Sequence, residues 1–280
     1  MKKLLMISFS AGLLLSACSF GSDASNKEEV KFGDLMNKGK HVTFKVNNNE
    51  EETYAPDKNS PIDTYIFTEN GKVTAYNSDG DTKLEDMKDK SYDEILKTAK
   101  KQDKKYFNKQ RKGNGNDAEN DYETQKENYE EYKNNVRKYG SALKKQQKGI
   151  FDESKKACDK IKNMSYEEPK KRDVKIKVVE DGTGNNTEEE KFYTTADGFD
   201  DDSGYIRFIH DTKTLNSNYS FKMKNSGDTV KIYDDKYAYL DNDEDGDDRN
   251  YLVTKVGDKA KSSALDKPDS KNVKVEKEDE

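Results

Sequence analysis

The chain has 280 residues, of which 39 % are charged and 30 % hydrophobic, and its formal net charge is −6. So polar a composition leaves material for a modest core and places the rest on solvated surface, exposed helix or disordered segments. The acidic balance argues against a nucleic-acid partner, and two cysteines, Cys18 and Cys158, are too few for a disulfide framework.

The first eighteen residues carry an address. Met1-Lys2-Lys3 is a charged start, Leu4 to Leu15 is an apolar run broken only by small residues, and Leu15-Ser16-Ala17-Cys18 ends it. A dozen apolar residues fall short of the about 20 that a membrane-spanning helix needs, so the run reads as a secretory signal. With a cysteine where a small-residue cleavage site would stand, it resembles the lipobox of bacterial lipoproteins. The resemblance implies that residues 1–17 are a removable signal peptide and that Cys18, the new N-terminus, carries diacylglycerol on its sulfur. Loss of Lys2 and Lys3 takes the net charge from −6 to −8. An acidic body is repelled by an anionic membrane, so the lipid has to supply the attachment to the outer face of the cell membrane. Cys158 is then expected as a small packed residue.

Residues 18–37 are expected to form a flexible tether, because Ser19 to Glu29 is small, polar and charged. An N-terminal β unit is predicted over 38–84. His41 to Val46 alternates apolar and polar residues like a half-buried strand, and Thr64 to Thr68 and Lys72 to Tyr76 flank Asn70-Gly71. Asn-Gly between strand-like runs is a strong hairpin signal, because both residues tolerate positive φ.

A helical region is predicted over 85–168. Ser91 followed three residues later by Glu94 is a capping box, and Tyr92, Ile95, Leu96, Ala99, Tyr106 and Phe107 share a face at helical spacing. Gly113, Gly115 and three asparagines suggest a connecting loop between Lys112 and Asn120. Tyr122, Tyr129, Val136, Leu143, Ile150, Ala157 and Met164 then recur every seven residues, with Tyr132 and Tyr139 in a second row. That register fits a long helix with a narrow seam, packed back on the Ser91 helix as an αα-hairpin or paired with a second copy as a coiled coil.

Beyond Pro169, seven short strand-like runs from Val174 to Thr254 predict a C-terminal antiparallel β unit over 169–258, and residues 259–280 read as a disordered tail. The expected fold class is therefore α+β: two small antiparallel β units separated by a helical hairpin, with a disordered tether and tail.

Signals for chemistry are sparse. His41 and His210 both sit in strand-like runs, and no nucleophile elbow, phosphate-binding loop or dinucleotide fingerprint occurs. The chain is therefore expected not to be an enzyme and to require no cofactor. Asp241, Asp243, Asp245 and Asp247 form the one notable constellation, with oxygen ligands at the first, third and fifth positions of a calcium-type loop and Gly246 at the sixth. Leu252 stands where an EF-hand would place its bidentate glutamate, so the expectation is a weak calcium site in a hairpin turn or a plain acidic turn. In lipobox, Lys/Asn/Glu-rich composition and size the chain resembles the surface lipoproteins of Gram-positive bacteria. That likeness implies a non-enzymatic binding module for a protein or wall polymer, with a solute-binding lipoprotein of an uptake system or a surface or superinfection-exclusion factor as alternatives.

Overall fold

The computed structural model describes residues 23–47, 54–200, 207–209, 220–244 and 249–276. They form an α+β structure. A 3-10 turn (Asp23–Asn26) leads to β1 (Glu29–Lys31), α1 (Phe32–Asn37), β2 (Lys40–Asn47), β3 (Ile62–Glu69) and β4 (Lys72–Asn77). After a second 3-10 turn (Leu84–Met87) come α2 (Tyr92–Asn134), α3 (Val136–Tyr139) and α4 (Ser141–Lys162). The remaining strands are β5 (Arg172–Asp173), β6 (Ile176–Glu180), β7 (Thr187–Phe192), β8 (Gly198–Asp200), β9 (Arg207–Ile209), β10 (Phe221–Met223), β11 (Asn225–Ser226) and β12 (Val230–Ile232), then β13 (Asp235–Asp241), β14 (Asn250–Val256), β15 (Ser262–Ala264) and β16 (Lys274–Val275).

The strands do not divide into an N-terminal and a C-terminal unit. One antiparallel sheet of eight strands runs β11-β13-β14-β2-β3-β4-β5, with β12 also on β13. The halves meet where Tyr251, Leu252 and Val253 of β14 lie opposite Val46, Lys45 and Phe44 of β2. The expected separation fails because β14 is apolar on both faces: Tyr251 and Val253 point one way, Leu252 and Thr254 the other, and all are buried. Only a central position covered on both sides satisfies such a strand. The rest of the expected C-terminal unit, β6, β7 and β10, forms a second sheet of order β10-β7-β6-β16.

The large sheet is thus the middle of three layers. On one face Phe44, Tyr65, Phe67 and Val253 pack under Ile95 and Ala99 of α2 and Leu84 and Met87 of the second 3-10 turn. On the other, Ile66, Ala75, Leu240 and Leu252 meet Phe192, Ile176 and Met223 of the second sheet and Phe32, Leu35 and Met36 of α1. Residues 23–37 are therefore core rather than tether. Phe32, Leu35 and Met36 recur at helical spacing, and burial of such a stripe outweighs the polar composition around it. The tail expected from residue 259 is likewise docked as far as residue 276: β15 pairs with β1 and β16 with β6, both in parallel.

The Asn70-Gly71 turn forms the β3–β4 hairpin, with φ of 49° and 80°. Ser91 caps α2: its Oγ accepts from the Glu94 amide and its own amide donates 2.8 Å to Glu94 Oε2. Where a loop was expected between Lys112 and Asn120, α2 runs straight through. The chain reverses instead at Asn135–Gly140, where Gly140 takes φ 88°. Gly115 is buried against α4, and an added Cβ there would lie 3.8 Å from Ile161 Cγ2. The seven-residue series is consequently split over three helices, with Tyr122 and Tyr129 in α2, Val136 in α3, Leu143, Ile150 and Ala157 in α4, and Met164 just beyond it. Tyr122 and Tyr129 stack on Phe151 of α4, whereas Leu143 and Ile150 remain 45 % and 40 % exposed. The side of α4 that meets α2 is instead Gln147, Ser154, Cys158 and Ile161.

Candidate functional site

β13 and β14 are joined by the acidic loop, and its base is described. Asp241, the last residue of β13, accepts from the Asp243 amide at 2.6 Å through Oδ1 and from Arg249 Nη1 at 3.3 Å through Oδ2. Arg249 also donates from Nε to the Glu244 carbonyl at 2.8 Å and stacks 4.9 Å from the Tyr54 ring centroid. Asn242 Oδ1 accepts from the Asn250 amide at 2.9 Å. Burial pushes the Asp241 carboxyl above its ordinary range, with the Asp243 amide and Arg249 opposing that shift. The loop base is therefore closed by an internal ion pair, and a cation entering it has to compete with Arg249 for Asp241.

Asp243 occupies the turn with φ 59°, and its charge adds to the upward shift of the Asp241 carboxyl. No group of three or more His, Cys, Asp or Glu side chains able to hold a metal occurs among the described residues. Cys18, Asp245, Asp247 and His210 lie outside the described residues. His41 is sealed beneath the sheet, its Nε2 2.9 Å from the Lys38 carbonyl, and burial lowers its pKa. It stands away from the acidic loop and its cleft.

Beside this loop base lies a cleft of about 330 Å³, walled by β10 on one side and by Asn242, Glu244 and Asn250 on the other. β10 continues into Lys224, whose amide donates 2.8 Å to the Asp241 carbonyl, and this crossing strand ties the second sheet to the first. Strand alternation puts Lys222 and Lys224 on one side of the chain and Phe221 and Met223 on the other. Lys45 reaches in from β2, held 2.8 Å from Asp63 Oδ2 and 5.4 Å from the Phe221 ring centroid. Lys45, Lys222 and Lys224 line the cleft together with the carboxamides of Asn242 and Asn250, a set of residues that suits an anionic group with several hydrogen-bond acceptors. Glu189 and Glu244 on the rim limit how much negative charge such a group can carry. The alternation of Phe221-Lys222-Met223-Lys224 was readable in the sequence; its convergence with Lys45, 177 residues earlier than Lys222, was not.

No family model, curated protein or solved structure matches this chain. No helix among the described residues is long and apolar enough to cross a membrane.

Proposed function

We propose that this chain is a lipid-anchored protein of the outer face of the cell membrane and a non-enzymatic binding module. Its lipid is carried by Cys18, and its cleft at Lys45, Lys222 and Lys224 takes an anionic group of a protein or wall-polymer partner. The observation that carries the anchoring is the order Leu15-Ser16-Ala17-Cys18 behind a short apolar run. The fold adds a consequence. Residues belong to the folded body from Asp23 onward, where Ala24 and Ser25 are buried. Five residues of fully extended chain reach at most about 17 Å, so the face that carries Asp23 is held beside the bilayer instead of being lifted clear of it. Calcium in the acidic loop belongs to the same proposal as an optional ligand of Asp241, Asp243, Asp245 and Asp247, in competition with Arg249.

Mass spectrometry of the mature N-terminus tests the anchor. Diacylglyceryl Cys18 is the expected outcome, and Cys18→Ala is expected to keep the signal peptide or lose the membrane fraction; an unmodified Cys18 on the mature chain refutes the reading. The cleft is tested separately by retention of soluble residues 19–280 on wall polymer and envelope extract. Lys222→Glu with Lys224→Glu is expected to abolish retention at low salt.

A further inference from the structure

Two carboxyl groups face each other in the core, behind the β7–β10 strand pair that also borders the cleft. Glu190 of β7 is 0 % exposed and Asp266, in the segment after β15, is 1 % exposed. The Asp266 amide donates 3.0 Å to Glu190 Oε2, and Asp266 Oδ2 accepts from the Gly33 amide at the start of α1 at 2.6 Å. The two side chains are within hydrogen-bond reach of each other, yet Glu190 Oε1 has no hydrogen-bond partner among the described residues. Neither carboxyl makes an ion pair with any of the described residues. Lys31 of β1 is the cation whose field reaches both, and Asp34 of α1 adds a negative field at Asp266 while itself held by Lys27 and Lys38.

Two ionised carboxylates cannot share a dry site without a cation in contact, since burial penalises each charge and each repels the other. A single proton resolves the geometry: on Glu190 Oε1 it gives that orphaned oxygen a bond to donate, and Asp266 the acceptor. The pair sits where the C-terminal segment crosses the body. Residues 262–276 form a strap fixed by β15 on β1, by Thr187 Oγ1 donating 2.6 Å to the Asp266 carbonyl, by Asn272 Nδ2 on Asp34 Oδ1 at 2.9 Å, and by β16 on β6.

We infer that Glu190 and Asp266 form a proton lock that closes the strap over residues 262–276 onto β7, α1 and the β6 edge, and that loss of the shared proton to solvent opens it. Opening leaves two hydrated carboxylates and frees the backbone edge of β6. The sign follows from the buried acid: the open strap titrates near the ordinary carboxyl value of about 4, the closed one higher. Between those two values, opening releases one proton and becomes tenfold more favourable per pH unit, and it levels off once the closed pair is itself ionised.

Amide hydrogen exchange on the full chain, corrected for intrinsic rates, tests this from about pH 5 to about pH 9. The opening constant of residues 262–276 is expected to rise tenfold per pH unit from the acid end, while amides of β2 and β3 stay level. Glu190→Gln, whose amide donates to Asp266 without ionising, is expected to remove the slope. A strap with no pH dependence, or one whose slope survives in Glu190→Gln, overturns the proposal. Should that variant not fold, infrared spectroscopy of the unaltered chain serves: a protonated-carboxyl stretch at neutral pH, vanishing as the strap opens, supports the lock, and its absence at neutral pH overturns it. Restoration of protection at high pH by added calcium also overturns it, since a cation would then occupy the place given to the proton.

Discussion

Single residues in this fold divide by what they touch, and glycines show it most plainly. A Cβ on Gly33 would meet Asp266 Oδ2 at 2.6 Å, and Asp266 is buried with nowhere to move. Gly33→Ala is therefore expected to cost about 1–3 kcal/mol, as overpacking does. Gly113 lies inside α2 with nothing within 4 Å of an added Cβ, so Gly113→Ala is expected to raise stability by about 0.5–1 kcal/mol. Urea unfolding of the two variants beside the parent reads both signs. Asp103 of α2 is a polar counterpart: buried, it accepts from the Asn77 amide and side chain at 2.9 Å each and from the Tyr166 hydroxyl at 2.9 Å. Asp103→Ala strands three donors and is expected to cost about 3 kcal/mol. Asp103→Asn keeps an acceptor and is expected to cost less than about 1 kcal/mol. Burial raises the Asp103 pKa above its ordinary value. The parent therefore loses stability as pH rises from the ordinary carboxylate range through that raised value, and the Asn variant is expected to lack that component.

At the scale of elements, local rules carried well and long-range ones did not. The Asn70-Gly71 turn and the Ser91 cap were legible because each depends on neighbours within four residues. The loop expected at Gly113 and Gly115 was not a loop, because packing on α4 supports helix through both glycines and Gly115 allows Ile161 to come close. The reversal fell at Gly140, the one glycine of the helical region with positive φ. α2 itself is two environments in one element. Its first turns bury Ile95, Ala99 and Phe107, while from Asp121 onward it meets α4 through Ser154, Phe151 and Gln147 and the short α3 through Tyr139, which packs on Tyr132. Local opening follows buried apolar contact, so amides over Tyr122–Asn134 are expected to exchange at least about 100-fold faster than those over Ile95–Phe107. Comparable protection along the whole helix would mean that the outer arm is covered by something else, such as a second copy. The end of the strap has its own titration: hydrogen bonds from Lys191 and then Lys177 hold the Glu276 carboxyl below its ordinary value. That stabilisation is present above the ordinary carboxylate pKa and is lost as pH falls through the depressed one. β16 is therefore expected to fray first in acid, and Glu276→Gln to fray it already at neutral pH, both visible in the exchange of Lys274 and Val275.

For the whole molecule the decisive link is the ladder between β2 and β14, more than 200 residues apart in sequence. Alternation identifies a strand and its faces but carries no information about which distant strand lies beside it, so two β units were as consistent with the pattern as one sheet. The same blindness hid the candidate cleft, whose lysines come from β2 and from the β10 segment, and the Glu190–Asp266 pair, whose members look like any other acids in a chain with 57 of them. The joined sheet has a testable cost. A fragment of residues 23–168 would keep β2, β3, β4 and α2 but lose Tyr251, Leu252 and Val253, each fully buried, together with Phe192, Ile176 and Met223 across the second face. At about 1.5–3 kcal/mol for each large apolar side chain, those six alone approach or exceed the about 5–15 kcal/mol by which a domain is stable. The fragment is expected to lack dispersed amide resonances and a cooperative urea transition, whereas the full chain loses both halves of the large sheet in one transition. If 23–168 instead folds with native-like exchange protection in β2 and β3, the halves are separable units after all, and the β2–β14 ladder is an interface between them rather than the middle of one core.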